Sequence, residues 1–138
     1  MLKVRGYMKG SFMNERVPER VQGIVIQEFC KAKGFRHLFN NSEYMIEGST
    51  YIIHDIINKL KEEGGLVLYS LFQMPEDNNE RLSLFKRILK KKKKLFFALE
   101  DLKLTTTDEL TEINNLWLIK KSLNKISNIS INDKIFKS

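Results

Sequence analysis

Nine side chains in this sequence have the types and the placement to do chemistry together. Lys9, Ser11, Arg16 and Gln22 follow one apolar segment, Glu43 and Tyr44 a second, Ser70 and Gln73 end a third, and Glu100 follows a fourth. A lysine, an arginine and a hydroxyl beside a helix start can hold an anion such as phosphate. On that reading Lys9 and Arg16 take an anionic group, while Ser11, Ser70 and Gln73 bind hydroxyls. Glu43 and Glu100, in a semi-buried crevice, suit proton transfer as general base or acid. Gln22 and Tyr44 complete the binding set. For Glu15 and Arg16 the structural alternative is capping and pairing near the start of the first helix.

No metal site is expected, because His37 and His54 stand alone without metal-ligand spacing. His54 reads as a surface or packing residue. Cys30, the only cysteine, reads as packing within a helix. There is no glycine-rich dinucleotide or P-loop motif, so no cofactor is expected.

The elements that must position these groups alternate along the chain. Residues 2–8 alternate apolar and polar and read as a strand. A helix follows from Pro18, with Val21, Ile24, Val25, Phe29 and Ala32 at helical spacing and Gly34 as its stop. His37, Leu38 and Phe39 form a short strand ended by Asn40, Asn41 and Ser42. Ser49 or Thr50 caps a helix bearing Ile53, Ile56, Ile57 and Leu60, which Gly64 and Gly65 end. Residues 66–72 are nearly continuous apolar sequence, as in a strand buried on both faces. A third helix carries Leu82, Phe85, Ile88 and Leu89. Residues 95–99 are a fourth strand, with a short fifth at 102–104. Thr107 or Asp108 caps a last helix bearing Leu110, Ile113, Leu116, Trp117 and Leu123, and the polar tail after Asn124 is expected to fray. This alternation predicts right-handed crossovers and a small three-layer α/β sandwich on a four- to five-stranded, mostly parallel sheet. Ligands of such sheets sit outside the carboxyl ends of the strands.

The chain of 138 residues suits one domain: an α/β unit over 1–104, with the helix and tail of 105–138 belonging to it. No segment is long and apolar enough for membrane insertion, and the N-terminus does not lead into a signal-peptide core. With one cysteine, the expectation is a cytoplasmic protein. A net charge of +7 attracts polyanions. Residues 90–94 are five consecutive lysines, read as a solvated turn at a helix C-terminus, with a dedicated polyanion site as the alternative.

Two resemblances follow from particular residues. Gly6-Tyr7-Met8-Lys9-Gly10-Ser11 is similar to the opening Gly-Tyr-x-Arg-x-Ser strand of serine recombinase catalytic domains (resolvases and invertases), with lysine for arginine. Gln22 stands where those enzymes often have glutamine, and the element order matches over about the first hundred residues. The resemblance implies a resolvase-like fold and makes Ser11 the nucleophile. The family's arginine before the second helix has no counterpart in residues 49–52, and its Asp-Arg-Leu-x-Arg segment is replaced by Gln73-Met74-Pro75-Glu76-Asp77. Those arginines stabilise the charge of phosphoryl transfer, so recombination is not expected. Separately, Phe12-Met13-Asn14-Glu15-Arg16-Val17-Pro18, Glu43-Tyr44, Tyr69-Ser70-Leu71-Phe72-Gln73-Met74-Pro75 and Phe97-Ala98-Leu99-Glu100 resemble the sporadic carbohydrate cluster proteins, over most of residues 4 to 104. That likeness implies a setting in surface-polysaccharide assembly.

The leading expectation is therefore a small enzyme or sugar-phosphate-binding protein of bacterial surface carbohydrate biosynthesis, with an anionic sugar derivative as its partner. Nucleic acid is not expected as a partner on this reading, and the alternative is a resolvase-like DNA-binding protein without recombinase activity. A third expectation is an oligomeric assembly partner, a homo-oligomer formed through the C-terminal helix with Trp117 across another subunit.

Overall fold

Four of the apolar segments become parallel neighbours in one sheet. The computed structural model describes the backbone of residues 1–136 and the side chains of residues 1–126. Its strands are β1 (Lys3–Met8), β2 (Ser11–Phe12), β3 (Glu15–Arg16), β4 (Arg36–Ser42), β5 (Gly65–Leu68), β6 (Lys94–Phe97) and β7 (Leu102–Leu104). Its helices are α1 (Glu19–Lys33), α2 (Tyr51–Lys59), α3 (Asn78–Lys90) and α4 (Thr107–Phe136), with a 3-10 turn at Leu71–Gln73. The main sheet has the order β4-β1-β5-β6-β7, parallel except for β7 beside β6. β2 and β3 form a separate hairpin.

The chain leaves β1 toward β4 on one side, then crosses back to β5 on the other. Right-handed crossovers place the helices of these two steps on opposite faces. α1 packs on β1 and β4, whereas α2, α3 and α4 pack side by side. The direction reverses between β1 and β5, so the carboxyl ends of those two strands flank the natural crevice.

Local chemistry explains most element bounds. Every residue of β5 is buried, as the apolar run predicts. Gly34, at φ 72°, closes α1 in the left-handed conformation that glycine adopts without strain. The third strand stops at Leu68, short of the expected residue 72, because Ser70 caps the 3-10 turn through Phe72 N (3.1 Å). β4 runs longer than expected, through Asn40 and Asn41. Gly6 of β1 leaves room for the Asn40 side chain, which a β-carbon there would meet at 1.9 Å. Asn41 accepts from Arg5 Nη2 at 3.0 Å. α2 ends at Lys59, well before the glycines expected to stop it.

Two helices depart in part from the apolar stripes read in the sequence. α1 buries Gln22, Ile26, Phe29 and Cys30 and leaves Val21 and Ile24 exposed. α3 buries the expected Phe85 and Ile88 together with Arg81 and Leu84, and leaves Leu82 and Leu89 half-buried against the core. In both, a polar side chain with four hydrogen bonds occupies the inner stripe. The backbone of the polar segment after Asn124, expected to fray, continues α4 to Phe136. Trp117, expected across a subunit contact, is buried within the chain against Arg81, whose Cζ lies 3.7 Å from the ring centre. No helix among the described residues is long and apolar enough to cross a membrane.

Candidate functional site at the carboxyl ends of the strands

The loop leaving β1 is fixed by two buried glutamines. Gln22 Nε2 donates to the carbonyls of Lys9 and Val17, both at 2.9 Å, and its Oε1 accepts from Lys9 N at 3.2 Å. Gln73 Nε2 donates to Lys9 O (3.1 Å) and Gln22 Oε1 (2.8 Å), and Ser70 N donates to Gln73 Oε1 (3.2 Å). The N–H groups of both side-chain amides are therefore all bonded to protein groups. They tie the end of β1, the start of α1 and the turn after β5 into one unit.

Glu100, beyond β6, extends this chain of bonds. Ser70 Oγ donates to its Oε2 at 2.8 Å and Leu71 N to its Oε1 at 2.7 Å. Burial raises the Glu100 carboxyl above its ordinary range, against the lowering effect of these donors and of Lys120. A carboxyl raised in the folded state contributes stability in acid that is lost as pH rises through its folded value. Glu100→Gln is expected to remove that decline. The difference in melting temperature between Glu100→Gln and the parent chain, measured from pH 4 to 7, should shift in favour of the variant as pH rises; a flat difference would contradict it.

Glu43 is buried immediately after β4 and receives five donors. They are Tyr7 Oη (2.8 Å), Ser49 Oγ (2.9 Å), Tyr44 N (3.2 Å), Ile52 N (3.0 Å) and Ile53 N (3.2 Å). The last two are free amides of the first turn of α2, so this carboxylate supplies the cap that Thr50 does not. Burial alone would raise its pKa, but the donors prevail and hold it below the usual carboxylate range. The same contact and burial push the Tyr7 phenol well above its ordinary value.

Lys9 is a half-buried cation at this end of the sheet. Burial lowers its pKa, while Glu43, Glu76 and Glu80 favour its charge. Glu80 also accepts from Thr50 Oγ1 (2.6 Å) and pairs with His54 Nε2 (2.8 Å). His54, read from sequence as isolated, thus belongs to a Thr50–Glu80–His54 cluster. Its signal was the acidic residue in the first turn of α3, three positions after the Asp77 cap. Among the described residues no group of three or more His, Cys, Asp or Glu is placed to hold a metal ion.

The remaining candidates stand apart from this buried network. Ser11 and Arg16 are exposed and face each other across the β2–β3 hairpin. Met13 and Asn14 make its turn with φ 49° and 63°, the left-handed pair that matches strand twist. Asn124 donates to Met13 O (3.3 Å) and Lys120 pairs with Glu15 (3.6 Å), so α4 clamps the hairpin. Tyr44 is exposed, its ring 5.7 Å from that of Tyr51. The structure therefore joins Gln22, Ser70, Gln73 and Glu100 through their side chains and Lys9 through its backbone, with Glu43 acting on the Lys9 charge and Ser11, Arg16 and Tyr44 exposed.

This sheet order, the reversal beside β1 and the long C-terminal helix define a resolvase-like α/β fold. The chain is similar to a resolvase family site-specific recombinase from Streptococcus pneumoniae, with a TM-score of 0.63, 10% identity and the whole of both chains covered. It is also similar to the N-terminal catalytic domain of TP901-1 integrase, with a TM-score of 0.56, 16% identity, and 91% of this chain and 96% of that chain covered. No family model and no curated protein matches. The resemblance to sporadic carbohydrate cluster proteins gains no support from these comparisons. The expectation that nucleic acid is not a partner is corrected by them, because the similar structures are of a site-specific recombinase and an integrase.

Proposed function

We propose that this chain is a resolvase-like DNA-binding domain that does not cleave DNA. The observation that carries the reading is the likeness to a resolvase family recombinase over the full length of both aligned chains. The net charge of +7 agrees with a phosphate-rich partner. The absence of cleavage rests on the crevice. Strand transfer needs cations gathered around the reacting phosphate. Here the charge of Lys9 is already favoured by Glu43, Glu76 and Glu80 against its burial, and the Gln73 amide is spent on Lys9 O and Gln22.

Fluorescence anisotropy with a labelled 30-base-pair duplex tests the binding. A dissociation constant on the order of 1–100 μM at physiological salt is expected, tightening at least tenfold at 50 mM. Supercoiled plasmid incubated with the protein should stay uncut and free of covalently attached protein. No binding at low salt would end the DNA reading. A covalent adduct lost in Ser11→Ala would overturn the claim that DNA is not cleaved. A thermal shift with nucleotide sugars in a chain that ignores DNA would favour the carbohydrate resemblance instead.

A further inference from the structure

The end of the sheet opposite the crevice carries the densest charge in the molecule. Residues 86–94 contain six lysines and one arginine. Lys86, Arg87 and Lys90 line, with Asn79, Leu82 and Ser83, a shallow groove of about 480 Å³ on the outer side of α3. The helix then stops in a tight turn that leads into Lys94, the first residue of β6. Among the described residues none of these seven cations has a carboxylate within ion-pair distance.

The turn is held so that its charges diverge. Lys91 Nζ donates to Ile57 O and Asn58 O, both at 2.7 Å, and Lys93 Nζ bonds Lys61 O, pinning the turn to the C-terminal end of α2. Lys86, Lys90, Lys92 and Lys94 are left exposed. Lys92 has φ 59°, and the amides of Lys92 and Lys93 bond Leu89 O (2.9 Å) and Ile88 O (3.0 Å). That is a Schellman closure, whose left-handed position glycine fills by default. A lysine there adds backbone strain to the mutual repulsion of the run, and local strain gathers at functional sites.

We infer that this face, the outer side of α3 with the lysine turn, seats the phosphate backbone of duplex DNA. The inference rests on the DNA-binding reading and deepens it by moving the contact away from the carboxylate-lined crevice. Charge complementarity selects a polyanion. The aromatic ring of α3, Phe85, is buried, which leaves no platform for stacking the bases of a single strand. Leu82 and Leu89 are half-buried, so the face offers no apolar side chain to enter a bilayer.

Two variants test it, both probed with the labelled 30-base-pair duplex over a salt series. Lys92→Gly relieves the strained turn, so it should melt at the same or a higher temperature while the slope of log K against log salt falls by about 1. Lys86→Ala/Lys90→Ala/Lys92→Gly should lower the slope by about 2–3 and weaken binding tenfold or more at 100 mM salt. Parental slopes in both variants, with binding intact, would overturn this face and leave the DNA reading standing. An unbound parent chain would remove both. Equal binding of a single strand, or capture by phosphatidylserine vesicles in place of duplex, would also overturn it.

Discussion

Arg81→Ala is expected to lower folding stability by about 3–5 kcal/mol, out of the roughly 5–15 kcal/mol that a domain usually has. Arg81 is 0% exposed and four of its five guanidinium N–H groups are bonded. Nε donates to Asn114 Oδ1 at 2.8 Å, Nη1 to the carbonyls of Pro75 (3.0 Å) and Glu76 (3.1 Å), and Nη2 to Asn78 Oδ1 at 2.7 Å. Its plane also covers Trp117. Truncation leaves acceptors without donors and a void over the indole. Each stranded buried acceptor costs about 1–3 kcal/mol, and the cavity adds to it. The midpoint of thermal unfolding should fall on the order of 10–20 °C. Arg81→Lys should recover less than half, since one ammonium cannot reach four acceptors in a fork. A loss below 1 kcal/mol in urea titration would show that α3 and α4 are joined by something else.

Arg81 also shows where the sequence was readable and where it was not. The order of the main-sheet strands and of the helices follows from period and punctuation, such as the unbroken apolar run of β5 and the stop at Gly34, whereas the β2–β3 hairpin and the Asp77 cap of α3 are absent from that reading. The inward turn of Arg81 and Leu84 on α3, beside the expected Phe85 and Ile88, does not follow. Hydrophobicity alone selects Leu82 and Leu89, yet Arg81 and Leu84 point inward because Asn78, Asn114 and two carbonyls meet the guanidinium. Those partners lie up to 33 residues away, beyond any local window. α1 repeats the lesson with Gln22, whose acceptors are on the loop after β1.

The candidate site divides in the same manner. Strand ends are legible, so Lys9, Gln73, Glu43 and Glu100 were placed together by period and topology. Where their polar atoms point is set by caps formed elsewhere. Gln73 and Glu100 turn onto backbone amides and carbonyls of neighbouring loops, and their hydrogen-bonding capacity goes into holding those loops. The cations of residues 86–94 have no such partners on the far end, apart from the bonds that anchor Lys91, Lys93 and Arg87. A phosphate backbone is therefore better served by that far end than by the crevice.

Glu43→Ala is expected to cost about 2–4 kcal/mol at neutral pH, because Tyr7 Oη and two amides of α2 lose their acceptor inside the protein. Glu43→Gln should lose most of the same amount, since its amide nitrogen must face donors. The pH dependence separates the charge from the packing. The folded-state pKa of Glu43 lies below its ordinary value, although burial opposes the shift, because the donors hold the carboxylate ionised. Its contribution is therefore full above the unfolded carboxylate pKa of about 4.3 and is lost as pH falls through the folded value. The stability gap between the parent chain and Glu43→Gln, measured by urea unfolding, should be widest near pH 7 and close below about pH 4. Glu100 acts in the opposite sense, its stabilisation fading as pH rises, so the comparison is best made in a Glu100→Gln background. A gap that stays constant from pH 7 to pH 3 would mean that Glu43 holds α2 by shape alone, and that the ionised cap inferred from its five donors is wrong.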